Sequence, residues 1–171
     1  MRLAMVGVGD FGRAVIGEAR QAGIDVAVVP DGLGDDALVA VVASRPVPSV
    51  AHELDRAGQP LVPVWGVDGA LQVGPVITRG APCFACYEAR LRQHAVDLEA
   101  HDAIASHWVT TAPPPPTERL SRHAPTAAAE LARILAAPDA SAGWVWRFDG
   151  STTSAGRVIA RHRCQCRSRN R

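Results

Sequence analysis

An apolar run, Leu3–Val8, stops in Gly-Val-Gly-Asp-Phe-Gly and leads into a helical pattern. No other feature of the sequence restricts the fold as much. A continuous apolar run closed by glycine reads as a buried strand. In the pattern that follows, Val15, Ile16 and Ala19 recur on one helix face from Gly12 to about Ala22. Gly23 ends that helix. Ile24–Val29 reads as a second strand closed by Pro30, Asp31 and Gly32. Strand, glycine turn, helix and strand within so few residues make a βαβ unit, which requires parallel pairing.

The remaining pattern extends that start. Leu38–Ala43 reads as a strand buried on both faces. Ser49 is placed to cap a helix over Val50–Ala57. Leu61–Trp65 and Ala70–Ile77 read as a hairpin around the turn Gly66–Gly69. One long helix is expected over Phe84–Ser106, an extended linker over Pro113–Pro116, and a helix over Ala127–Ala137. Trp144–Phe148 and Val158–Arg163 read as two strands joined by the polar loop DGSTTSAG. The expected fold class is α/β: a Rossmann-like, mostly parallel sheet with flanking helices and a zinc-stapled C-terminal hairpin. All 171 residues form a single domain in this reading, with a nucleotide-fold core over 1–80 and a helical segment, linker and hairpin over 81–171.

Gly7, Gly9 and Gly12 match the dinucleotide-binding pattern GxGxxG in its proper strand-to-helix context. In that pattern the first glycine permits the turn, the second lets backbone N–H groups approach a phosphate, and the third lets helix and strand pack closely. Asp31 stands where an acidic residue would meet a ribose hydroxyl. Asp10 argues the other way, because an anionic side chain inside the turn opposes a pyrophosphate. The motif therefore fits either a nucleotide site or a fold signature with no ligand.

Cys83-Phe-Ala-Cys86 and Cys164-Gln-Cys166 contain all the cysteines. A CxxC at the mouth of a helix offers two thiolates to one ion, and a second pair completes a tetrahedral sulfur site of the structural zinc type. A redox CxxC and plain buried thiols are the other readings; a redox pair is expected directly after a first strand, unlike this one. His94, Asp97 and His101 fall on one face of the expected long helix, as a solvated face, a second metal site or an acid–base pair. Trp144 and Trp146 alternate along a strand and share a face, suited to a core or to an interface.

Composition excludes several functions. All 18 basic residues are Arg, so no lysine serves as a phosphate-loop residue, Schiff base or general base. A net charge of +1 gives no general attraction to nucleic acid or membrane. No apolar stretch reaches the length of a membrane span, and the amino terminus lacks a secretory signal pattern. These features predict a cytoplasmic protein.

The segment VGPVITRGAPCFACYEARLRQHA resembles the ThiF-like, ubiquitin-activating-enzyme-like domain of bacteriocin cyclodehydratases. The resemblance runs through Gly74, Pro75, Gly80, Pro82, Cys83, Cys86 and Arg90, then Cys164 and Cys166. Arg79 replaces the family's loop proline, and the last cysteine pair is shortened to Cys-x-Cys. The resemblance implies a structural zinc and a non-catalytic subunit that serves a YcaO-type cyclodehydratase, its precursor peptide, or both, in making azoline-containing peptides. It also implies association, as a homodimer or with the enzyme, for which Trp108, Trp144 and Trp146 are candidate contacts. Relatives grip the leader with an N-terminal winged helix; a first strand at Leu3 predicts no such clamp. Adenylating relatives use lysine and a free cysteine, and neither is to spare here. A small NAD(P)- or flavin-linked oxidoreductase and an ATP-dependent adenylyltransferase are the alternative functions.

Overall fold

The computed structural model describes residues 2–28, 37–110, 118–164 and 166. It contains strands β1 (Arg2–Val8), β2 (Val26–Val28), β3 (Ala37–Ala43), β4 (Leu61–Val67), β5 (Ala70–Val73), β6 (Trp144–Asp149) and β7 (Thr152–Arg157). The helices are α1 (Gly9–Gln21), α2 (Pro48–Arg56), α3 (Phe84–His94), α4 (Leu98–Thr110), α5 (Glu118–Ser121) and α6 (Ala124–Ala136). One seven-stranded sheet runs in the order β2-β1-β3-β4-β5-β6-β7. The first four strands in that order pair in parallel. Antiparallel pairing then adds β5, β6 and β7. Two successive reversals return β6 to the direction of β4, so five of the seven strands point one way. The α/β class and the flanking helices are those the sequence predicts.

β3 shows why the sheet has helices on both sides. All of its residues are buried, and alternate side chains face opposite sides of a strand. Leu38, Ala40 and Val42 join a core with Val15 and Ile16 of α1 and Leu131 and Ile134 of α6. Val39 and Val41 join a second core with Ala51 of α2 and Phe84 and Tyr87 of α3. A strand with an apolar residue at every position satisfies two layers at once.

The glycine turn is built differently from the expected division of roles. Gly9 carries the turn, with φ of +72°, whereas Gly7 remains in the extended run of β1. Gly7 and Gly12 together bring helix and strand close. A Cβ on Gly12 would lie 2.7 Å from Gly7 Cα and 3.1 Å from the Val42 carbonyl oxygen. α1 also begins at Gly9, three residues before its predicted start.

Four other elements depart from the sequence reading. β5 ends at Val73, before Gly74 and Pro75, instead of running to Ile77. The predicted long helix over Phe84–Ser106 is two helices. Ala95 is extended, and the Asp97 carboxylate accepts the Ala100 N–H at 2.9 Å, so Asp97 caps α4 instead of sitting on a continuous face. α2 starts at Pro48 with Val47 as its cap and no side-chain bond from Ser49. The predicted strand over Val158–Arg163 is absent; the supposed loop residues Thr152–Arg157 form β7 instead. Asp149 and Gly150 supply a strong hairpin signal, and an edge strand exposed on both faces needs no apolar alternation. Asp31, the linker Pro113–Pro116 and the arginine-rich residues after Cys166 lie outside the described residues.

The Gly12 contact gives a testable contrast within one helix. Gly12→Ala should destabilise the protein by about 1–3 kcal/mol, because the added methyl meets backbone atoms. Gly17 has nothing within 4 Å of an added Cβ, so Gly17→Ala should stabilise by about 0.5–1 kcal/mol through helix propensity. Urea denaturation of the two variants should therefore shift midpoints in opposite directions.

Candidate metal centre

The four cysteines converge. Their sulfur atoms all lie within 4.8 Å of one another. Cys83 Sγ is 3.6 Å from both Cys86 Sγ and Cys164 Sγ, and Cys86 Sγ is 3.8 Å from Cys166 Sγ. All four are free thiols, too far apart for a bond of about 2.05 Å. Four sulfurs each about 2.3 Å from a central zinc form a tetrahedron with edges of about 3.8 Å. The observed separations fit that size, so the cluster could hold a metal ion.

Each half of the cluster is positioned by local structure. Cys83 precedes α3 as its cap, and its carbonyl accepts the N–H groups of Cys86 and Tyr87 at 3.0 and 3.3 Å. Cys86 follows in the first helical turn, so both sulfurs leave the same end of α3. α2 holds that end in place. Asp55 Oδ2 accepts the Phe84 N–H at 2.9 Å, and His52 Nε2 and Glu88 Oε2 are 2.6 Å apart. The His52 ring meets Phe84 edge-on at 5.0 Å. The chain returns beyond β7, where Arg90 Nε donates to the Ile159 carbonyl at 3.4 Å. The Arg161 N–H donates to Cys86 Sγ at 3.3 Å. Arg163, with φ of +63°, then turns the chain so that Cys164 and Cys166 complete the group.

Burial pushes the Cys83 and Cys86 thiols up, the expected effect of desolvating an anion. Cys164 is lowered to about 7, chiefly by the backbone N–H of Cys166. Four mutually close sulfurs resist full ionisation without a cation, and a divalent ion inverts that preference. A set of four sulfur donors suits zinc or an iron–sulfur centre. Tyr87 packs beside this end of α3, and its hydroxyl accepts a 2.7 Å bond from Gln72. A cleft of about 350 Å³, lined by Asp55, Gln59, Thr78, Arg79, Cys83 and Cys166 among others, adjoins the sulfurs.

The other candidates do not meet at this centre. Gly7, Gly9 and Gly12 lie at the carboxyl ends of the parallel strands, where the order reverses between β1 and its neighbours β2 and β3. That is the usual ligand position of such sheets. Asp10 there forms an ion pair with Arg13. His94 ends α3 and Asp97 caps α4, while the side chain of His101 lies outside the description, as does that of Trp108. Trp144 and Trp146 stack at 6.2 Å, with the Arg133 guanidinium 4.2 Å from the Trp146 ring centre. Trp146 packs half-buried against the first core. Asp55, His52 and Glu88 had no local signal in the sequence, because their role depends on α2 lying beside α3.

No family model and no curated protein matches this sequence. Solved structures do match its fold. A chain of a heterocyclase in complex with substrate and cofactor aligns with a TM-score of 0.66 and 20% identity, covering 94% of this protein and 24% of that chain. The microcin synthetase McbBCD complex of E. coli aligns at 0.71 and 10% identity, covering 96% of this protein and 67% of that chain. E. coli MccB with ATP aligns at 0.58 and 13% identity, covering 98% and 67%. The chain thus has the fold of components of heterocyclase and microcin synthetase systems, and spans about a quarter of the heterocyclase chain. Among the described residues, no helix is long and apolar enough to cross a membrane.

Burial pushes the Tyr87 hydroxyl up to about 12. The folded state then holds this proton more tightly than the unfolded state, whose tyrosine titrates near 10. The stabilisation is complete below about pH 10 and is lost as pH rises towards 12, by on the order of 2 kcal/mol. Denaturant melts from pH 9 to 12 should show that loss in the native protein and a shallower one in Tyr87→Phe.

Proposed function

We propose that this chain is a non-catalytic, ThiF-like partner subunit in the biosynthesis of ribosomally made azoline peptides of bacteriocin or thiopeptide type. It would bind a YcaO-type cyclodehydratase, its precursor peptide, or both. The observation that carries the reading is the closure of Cys83, Cys86, Cys164 and Cys166 on a fold similar to that of heterocyclase and microcin synthetase chains. In this reading the four cysteines hold one structural zinc. Four sulfur ligands leave no open position for a water or substrate, so the metal supplies folding energy and no chemistry. The whole of 1–171 acts as a single domain, with its C-terminal segment tied to α3 by that zinc, and self-associates as a homodimer or pairs with the enzyme in the cytoplasm.

Three features favour a partner over an enzyme. The sequence has no lysine to meet a triphosphate, and every cysteine belongs to the sulfur cluster. The Asp10 carboxylate opens α1, where a phosphate would need the positive end of the helix. The likeness to MccB with ATP favours a second reading, ATP-dependent adenylyl transfer at Gly7, Gly9 and Gly12. Calorimetry separates the two: a partner subunit gives no saturable heat with ATP or NAD(P), and micromolar affinity for either would replace the partner by an enzyme.

Purified protein should contain about one zinc per chain. Removing residues 164–171, or stripping the metal with a chelator, should cost several kcal/mol, because binding the ion is part of folding. Metal analysis with thermal melts checks this; a metal-free protein of unchanged melting temperature would refute it. Co-expression with a YcaO-type enzyme and a precursor peptide should yield a complex on affinity purification. A chain that retains neither is not a partner subunit.

A further inference from the structure

The sheet ends differently on its two sides. β2 has three residues, whereas β7 has six. Every residue of β7 is exposed. Among the described residues β7 pairs only with β6, in unbroken register from Trp144–Arg157 to Asp149–Thr152. Its outer side therefore presents a row of backbone N–H and C=O groups. Natural edges are commonly guarded by lysine, proline, a bulge or shortness. β7 has no such guard: its sequence is Thr-Thr-Ser-Ala-Gly-Arg, with one charge at one end.

We propose that β7 is a docking edge for an extended segment of another polypeptide, which adds to the sheet as an eighth strand. Main-chain hydrogen bonds would supply affinity, and alternate side chains the selectivity. Arg157, Ala155 and Thr153 stand opposite Trp144, Trp146 and Phe148 and share their face. Ala155 is short, so a bulky apolar side chain placed against it covers Ala155 and reaches the half-buried Trp146 beyond. Two residues away on the same face, Arg157 selects an acidic side chain. The fitting peptide is thus extended, with an aromatic or large aliphatic residue and a carboxylate two positions apart. A second copy of β7 fits less well. It has no bulky apolar side chain to place against Ala155 and would bring a second arginine to Arg157. The inference locates the peptide-binding part of the function proposed above and rests on that reading only for calling the peptide a precursor.

The test uses a fluorescein-labelled peptide, Ser-Thr-Glu-Thr-Phe-Thr-Glu-Thr-Ser, which suits either strand direction, and fluorescence anisotropy with the full chain. Saturable binding is expected. Ala155→Lys, at an exposed position, should weaken it at least tenfold with an unchanged melting temperature. Arg157→Glu should weaken it similarly and bind instead the peptide with lysine in place of both glutamates. A peptide of the same sequence, N-methylated along the backbone, should not bind. Equal binding to A155K and to the native protein, or equal binding of the N-methylated peptide, overturns the proposal. So does a native dimer that A155K converts to monomer in sedimentation, because the edge then belongs to a second copy. Affinity purification of A155K with the cyclodehydratase distinguishes the two levels. Retained enzyme with lost peptide supports strand addition. A native chain that binds the labelled peptide yet retains neither enzyme nor precursor supports the edge and overturns the partner role.

Discussion

Four sulfur atoms within 4.8 Å of one another tie this protein together across about 80 residues of chain. They join residues 83 and 86 to residues 164 and 166, so everything between them must close a loop. β6 and β7 extend the sheet within that loop, and the chain returns to α3 after leaving β7. The pull of Cys86 Sγ on the Arg161 N–H and of Arg90 on the Ile159 carbonyl continues that closure into the backbone. Thiolates this close repel unless a cation lies between them. A cation held there would therefore couple its binding to the closure of the chain.

The centre also depends on a platform that is not made of cysteine. Asp55 accepts the first N–H of α3, and His52 meets Glu88 one helical turn further on. These contacts fix the end of α3 from α2, which in turn packs on β3 and β4 through Ala51. The sulfur cluster is thus referenced to the buried middle of the sheet. Loss of the Asp55 carboxylate would release Phe84 N–H and loosen the turn that sets the Cys83–Cys86 separation.

How much of this the sequence disclosed depends on the range of the interaction. β1, β3 and β4 were legible because continuous apolar runs have few other uses. The cysteine cluster was legible because two close pairs suggest one ion, whatever their distance in sequence. β7 was misread because Thr152–Arg157 lies at an edge and has no apolar face to show; its strand state comes from pairing with β6 and from the Asp149–Gly150 turn. The break between α3 and α4 is hidden in the sequence because Asp97 keeps the helical spacing of His94 and His101, although its carboxylate caps a new helix. Asp55 and His52 were invisible because tertiary packing alone brings α2 to α3.

The glycine turn shows that a motif can have two separable causes. A Cβ on Gly7 would meet Ile16 Cδ1 at 2.8 Å, and one on Gly12 would meet Gly7 Cα at 2.7 Å. The approach of α1 to β1 requires Gly12, whose Cβ would meet backbone, and leaves Gly7 little room, with Gly12 backbone at 3.3 Å. Only Gly9 owes its identity to the turn itself, through its positive φ, and open space surrounds it. The packing demand therefore accounts for Gly12 and favours a small residue at position 7. A phosphate would add a different requirement, a positive and unencumbered helix start. Asp10 and its partner Arg13 stand at that start, so a carboxylate already lies at the positive end of the helix.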